Sequence, residues 1–182
     1  MFPIRDNIPS RRFPFVNYFL IVVNIVIFIH EVKLAQAGVL DVFISQHALI
    51  PFEFLRAPLA HIPSIFLSMF LHGGWVHVLS NMWFLFVFGD NVEDALGHVR
   101  YLIYYLLVGI GAAAVQIYMS PTSHLPMVGA SGAIAGILGG YIILYPGARV
   151  LTFFVLIFFV RFVEIPAFFY LGLWFLTQTL NG

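Results

Sequence analysis

From Tyr101 to Ala148 the chain runs through 48 residues without one Asp, Glu, Lys or Arg. Three more stretches behave alike: 13–30, 57–89, and 150–182, the last interrupted only by Arg161 and Glu164. About 20 consecutive apolar residues suffice to cross the hydrocarbon of a bilayer. A soluble domain of 182 residues could not cover such runs, because its own surface needs polar groups. Charged residues make up 9% of the chain and hydrophobic ones 62%, whereas soluble domains carry about 25% charge. The solvent for this surface is lipid. We expect one domain, residues 1–182, in an all-α, polytopic membrane protein.

Inside lipid the backbone must satisfy its own hydrogen bonds, so each run is read as helix. The long uncharged stretch is broken by "SPTSHLP" (120–126), where Pro, Ser and Thr favour a turn. Five helices follow, at 13–33, 69–89, 101–119, 131–145 and 150–176. Residues 34–68 mix Phe, Leu and Ile with Pro, Glu and Arg; too broken to span and too apolar to float, they are expected in the interface. Five spans put Arg5, Arg11, Arg12, Arg100 and Arg149 on one side against Lys33 and Arg56. The positive-inside rule then places the N-terminus in the cytoplasm, with the plasma (inner) membrane as the expected location. The first run is longer than a signal-peptide core and is followed by "FIHEVKLAQAG", so it is read as a retained anchor. With no cysteine there is neither a disulfide nor a thiolate metal site, and zero net charge without a basic stripe argues against nucleic acid.

Two constellations carry chemistry. Ser131 sits in "GASG" at the head of a charge-free helix, flanked by Gly129 and Gly132. Gly132, Gly136 and Gly140 form a four-residue stripe of the kind that lets helices approach closely in lipid, so the serine is either a reactive hydroxyl or a packing residue. In "LHGGWVHVLSNMWFLFVFGD", His77 and Asn81 stand four apart on one helical face. They suit either interhelical hydrogen bonding or donation to a developing oxyanion. His72 and His77 are five apart, off one face, with no carboxylate close in sequence, so no metal site is expected. Arg161 and Glu164, at i and i+3 of the fifth span, are expected to neutralise one another as a structural pair; a proton or ion path is the competing reading.

"HGGWVHVLSN", then "GDNVEDALG", then "GASGAIAG", resembles the rhomboid family of intramembrane serine proteases. The likeness continues through "YPGARV", "VEIPAFF" and "LGLWFL" and covers residues 10–182. It implies a rhomboid-like helical bundle with five of the six family helices present. By resemblance Ser131 is the nucleophile atop the fourth helix, and His77 and Asn81 join the serine's own N–H around the oxyanion. Gly89 and Glu93 match a structural G-x-x-x-E element, and 34–68 matches the family's first loop. The glycines around Ser131 are expected to bring the second and fourth helices together. Substrates would be transmembrane proteins within the bilayer, and no cofactor is implied. The family's general base is a histidine on a sixth helix in an A-H-x-x-G setting, and "LTQTLNG" ends this sequence before one. Of the seven histidines, His98 falls on the opposite side and His124 lies in a short loop. The expectation is a domain incomplete at its C-terminus and inactive alone. A non-catalytic rhomboid-like protein that binds membrane clients, and a small channel using Arg161 and Glu164, are the alternatives; oligomeric state is left open.

Overall fold

The computed structural model describes residues 2–156 and 159–181. Strand β1 (Phe2–Asp6) is followed by α1 (Phe15–Gln36) and three short helices, α2 (Leu40–His47), α3 (Pro51–Arg56) and α4 (Pro58–Leu67). A single 3-10 turn leads into α5 (Trp75–Leu96), α6 (His98–Met119) and α7 (Ser131–Leu144). The chain then forms β2 (Arg149–Leu156), β3 (Phe159–Pro166) and α8 (Ala167–Asn181). Helices dominate, as a membrane bundle requires. Helices α1 and α6 are long and apolar enough to span, and α4 with α5 forms a pair bent by 81° that qualifies as one broken span. Helices α7 and α8 are shorter apolar helices.

Four of the five expected helices lie near their anticipated positions, and the second begins later, at Trp75, because the Gly73-Gly74 pair delays it. The fifth differs. The expected helix over 150–176 is a β-hairpin followed by a helix that starts at Ala167. "VLTFFV" is rich in β-branched and aromatic residues, which favour strands, and Pro166 denies a continuous helix its backbone donor. Arg161 and Glu164 therefore lie on β3, where an i,i+3 pair points to opposite faces, and they do not meet. Glu164 instead faces Arg149 across the hairpin, Nε to Oε2 at 3.4 Å.

The sheet order is β1-β2-β3, antiparallel throughout, so the first residues of the chain pair with residues 150–153. The N-terminal tail runs down α5. Trp83 Nε1 donates to the Pro3 carbonyl at 2.6 Å, Asn91 Nδ2 to the Ile8 carbonyl at 2.8 Å, and the Arg11 N–H to Asp94 at 3.1 Å. Tyr141, near the end of α7, donates to Asp6. The tail, the end of α5 and the loop before β2 thus share one end of the bundle, the grouping that the alternation of spans required.

Three helices are locked near that end. The Val16 and Asn17 N–H groups, without intrahelical partners at the start of α1, donate to Glu93 at 3.0 and 2.7 Å. Two turns earlier on α5, Asn17 Nδ2 donates to the Leu85 carbonyl (2.9 Å) while its Oδ1 accepts from Tyr101 of α6 (2.8 Å). Gly89 is where these groups pass: a Cβ there would overlap Asn17 Oδ1 and lie 2.7 Å from the Tyr101 hydroxyl. The core is aliphatic and aromatic around Leu85, Phe88, Tyr105, Ile134, Ile137 and Tyr141, with α7 at its centre.

Candidate active site

Ser131 is the first residue of α7, so the helix's free N–H groups and partial positive charge surround its hydroxyl. The segment 34–68 holds the approach to it. The Met127 N–H donates to the Leu49 carbonyl (2.8 Å), Phe52 N–H to Ser123 (3.1 Å) and Gly129 N–H to Ser68 (2.9 Å). The small helices of 34–68 thus fix the loop that turns into α7.

Gly129 joins the two constellations. Its φ of +120° is a conformation side chains avoid, and an added Cβ would lie 2.7 Å from Cε1 and Nε2 of His77 and 3.6 Å from Asn81 Nδ2. Both side chains of α5 therefore lie against the backbone two residues before Ser131. Asn81 is 5% exposed, and its Nδ2 is buried without a hydrogen-bond partner among the described residues. His77 has its Nδ1 facing the Gly73 N–H at 3.4 Å, which assigns the proton of the neutral ring to Nε2, the nitrogen beside Gly129. Two donors thus aim at one place beside the start of α7, an arrangement suited to a developing negative oxygen.

The other named glycines do different work from that expected. The stripe Gly132, Gly136, Gly140 faces α6 rather than α5. Added Cβ atoms would meet Ala112 at 2.6 Å, overlap Val108, and meet the Tyr104 hydroxyl at 2.8 Å. Tyr104 also donates to the Gly136 carbonyl at 2.8 Å. The stripe fastens the third helix to the fourth, and Gly129 alone makes room for the second.

A cavity of about 480 Å³ opens beside Ser131, bounded by Ser68, Met69, Gly109, Gln116, Pro126 and Gly132. Among the described residues lining it there is no histidine. His124 packs at a tilt against Phe52, centroids 4.1 Å apart, and His98 lies at the far end with Nδ1 2.5 Å from Glu93. His72, weighed in the sequence only as a metal ligand, is buried with its ring edge-on to His77 at 5.1 Å.

One residue escaped the sequence reading. Glu31, near the end of α1, is 1% exposed, and both its oxygens accept the His72 N–H at 3.2 Å. It holds the turn from which Gly73 reaches His77. The signal was present, since Glu31 is the only acidic residue of α1, but nothing in sequence linked it to position 72.

Comparison with known proteins places this geometry. The profile described as Rhomboid domain matches residues 59–181, about two thirds of the chain. Rhomboid-like protein 11, chloroplastic, of Arabidopsis thaliana is 26% identical over 133 residues, 73% of this chain and 43% of that protein. Putative rhomboid protease YdcA of Bacillus subtilis is 38% identical over 72 residues, 40% of this chain and 36% of its own. Rhomboid protease AarA of Providencia stuartii is 36% identical over 90 residues, 42% of this chain and 32% of its own. The chain thus spans less than half the length of these relatives. With the bundle, the order of its motifs and the profile match in agreement, the chain belongs to the rhomboid family.

Proposed function

We propose that this chain forms the nucleophile and oxyanion side of an intramembrane serine endopeptidase acting on transmembrane protein substrates. The observation that carries the proposal is the convergence of His77 and Asn81 on Gly129, with the unpartnered Asn81 amide and the Nε2–H of His77 beside the start of α7. Ser131 Oγ attacks the scissile carbonyl carbon. The oxygen, now anionic, receives His77 Nε2–H, Asn81 Nδ2–H and the Ser131 N–H, each realised more strongly in the tetrahedral intermediate than in the substrate. A serine hydroxyl needs a base to take its proton. With His77 donating through Nε2, the base this reading calls for is the histidine that the family carries on a sixth helix. The localisation consistent with this role is an integral membrane one, with the arginine-rich end of the bundle in the cytoplasm.

A second reading, a non-catalytic member that binds membrane clients, draws on the absence of a histidine among the described residues lining the Ser131 cavity. Fluorophosphonate labelling separates the two. We expect no label on residues 1–182 alone, strong labelling once a histidine-bearing sixth span is fused after Gly182, and loss of label in Ser131→Ala of the fusion. Asn81→Ala in the active fusion should lower kcat about 100-fold, as removal of one oxyanion donor does. A fusion that labels independently of Ser131, or turns over unchanged without Asn81, refutes the assignment.

A further inference from the structure

Helix α1 ends beside the turn that precedes α5, and two of its residues grip that turn. Phe28 and Glu31 are three apart, so they share one face of the helix. Phe28 is buried and meets the His72 ring edge-on, centroids 6.4 Å apart, and the Trp75 ring edge-on at 4.9 Å. Glu31 is buried as well, and among the described residues it pairs with no cation. Its carboxyl oxygens take the His72 N–H at 3.2 Å. Ionisable groups sunk into a membrane bundle are costly, and one kept beside the candidate active site asks for a purpose.

What Glu31 holds is His72, a residue fixed through both its backbone N–H and its ring. His72 Nδ1 lies 3.2 Å from the Phe70 carbonyl, which only accepts, so that nitrogen carries the proton and anchors the ring to the turn. The ring then bears edge-on against His77, centroids 5.1 Å apart. The next N–H along the chain, that of Gly73, donates to His77 Nδ1 at 3.4 Å. This is the long limit of hydrogen-bond geometry, so a shift of the turn by a few tenths of an ångström breaks it. Which nitrogen of a neutral imidazole carries the proton follows from the bond that the other one makes. The holds therefore run from Glu31 to the His72 N–H, from the adjoining Gly73 N–H to His77 Nδ1, and across the ring to Nε2–H beside Gly129.

We propose that Glu31 is the positioning residue of His77: from α1 it pins the 71–74 turn, and the turn sets the tautomer and orientation of the imidazole on α5. The catalytic consequence rests on the oxyanion role given to His77 above, whereas the tautomer itself does not. Without the pin, Nδ1 loses its donor and the proton occupies either nitrogen. Donation to the oxyanion then weakens while the contacts that bind substrate stay as they were, so the effect falls on kcat rather than KM.

Ring-nitrogen NMR of residues 1–182 in micelles, with isotope-labelled histidine, tests this; loss of signals in His77→Gln assigns that ring. The wild-type His77 should show a protonated Nε2 and a bare Nδ1. In Glu31→Ala the two signals should converge as the tautomers mix. Glu31→Gln keeps an acceptor for the His72 N–H and should restore their separation, and Glu93→Gln, which loosens the opposite end of α1, should leave them apart. A wild-type ring protonated at Nδ1, unchanged His77 signals in Glu31→Ala, or convergence in Glu93→Gln as well overturns the proposal. Glu31→Leu, similar in size and without an acceptor, decides the matter if Glu31→Ala does not fold. In the sixth-span fusion Glu31→Ala should lower kcat about tenfold with KM unchanged, a smaller loss than outright removal of an oxyanion donor. Converged signals with kcat unchanged uphold the pinning by Glu31 and refute instead the oxyanion role of His77.

Discussion

Glu93 supports a quantitative prediction, because its partners are few and fixed. The carboxylate is 1% exposed and accepts the Val16 and Asn17 N–H groups of α1 together with Nδ1 of His98. Charge-assisted hydrogen bonds of this kind contribute about 1.5–3 kcal/mol, and an anion at a helix N-terminus adds about 0.3–1 kcal/mol. Glu93→Gln keeps the shape but turns an N–H₂ group toward one of those N–H donors, so we expect a loss of about 2 kcal/mol. Glu93→Ala orphans the buried Asn17 and half-buried Val16 N–H groups beside the Gly89–Asn17–Tyr101 crossing, and should cost about 3–5 kcal/mol. Reversible unfolding in mixed micelles, followed by circular dichroism, measures both. Asp94→Asn is the control: its carboxylate accepts the Arg11 N–H in an exposed contact and should change stability by less than about 1 kcal/mol. A Glu93→Gln protein as stable as wild type, or a Glu93→Ala protein no weaker than Asp94→Asn, would refute the view that this carboxylate clamps α1 to α5.

Gly129→Ala should strain a residue at φ +120° and push its methyl into the His77 ring, costing about 1–3 kcal/mol; in an active fusion it should reduce turnover more than Gly139→Ala, whose added Cβ meets nothing within 4 Å. Asp6, at the end of β1, has its pKa raised to about 6 by desolvation, with the Asp90 charge adding to it and the Tyr141 hydrogen bond opposing. Since the folded value lies above the unfolded 3.8, this group's contribution is complete below pH 3.8 and is lost as pH rises through 6. Asp6→Asn should flatten that fall, by about 1 kcal/mol after allowance for its partial exposure, in unfolding titrations between pH 4 and 7. Glu31→Ala leaves the buried His72 N–H without its acceptor and should cost about 1–3 kcal/mol, with faster amide exchange at residues 72–74, whereas Glu31→Gln should recover most of it.

The sequence reading succeeded where one local property sufficed. Charge-free length located α1 and α6, and the four-residue spacing of His77 and Asn81 put both on one face of α5. It fell short where a partner had to be known. The stripe at Gly132, Gly136 and Gly140 specifies a face of α7 but not which neighbour, and the neighbour is α6. Residues 150–163 are apolar on every position but Thr152 and Arg161, so neither a period of 3.6 nor one of 2 stands out. Pro166 was the local sign that a helix could not run from 150 to 176. Strand β1 was invisible for a further reason: five residues including a proline form a strand only because β2 lies beside them.

That last pairing orders events during biosynthesis. Asp6 and Tyr141 are separated by 135 positions, and Asn7 and Arg149 by 142. At about 5–20 residues per second, the ribosome makes the first strand roughly 7–30 s before its partner exists. Helices α1, α5, α6 and α7 must be delivered to the bilayer in that interval, while residues 2–6 wait without a mate. The sheet is thus a late clasp, closed by the C-terminal third of the chain on its own beginning. A ribosome stalled before Arg149 should leave those residues open to protease, and one stalled well past Pro166 should shield them.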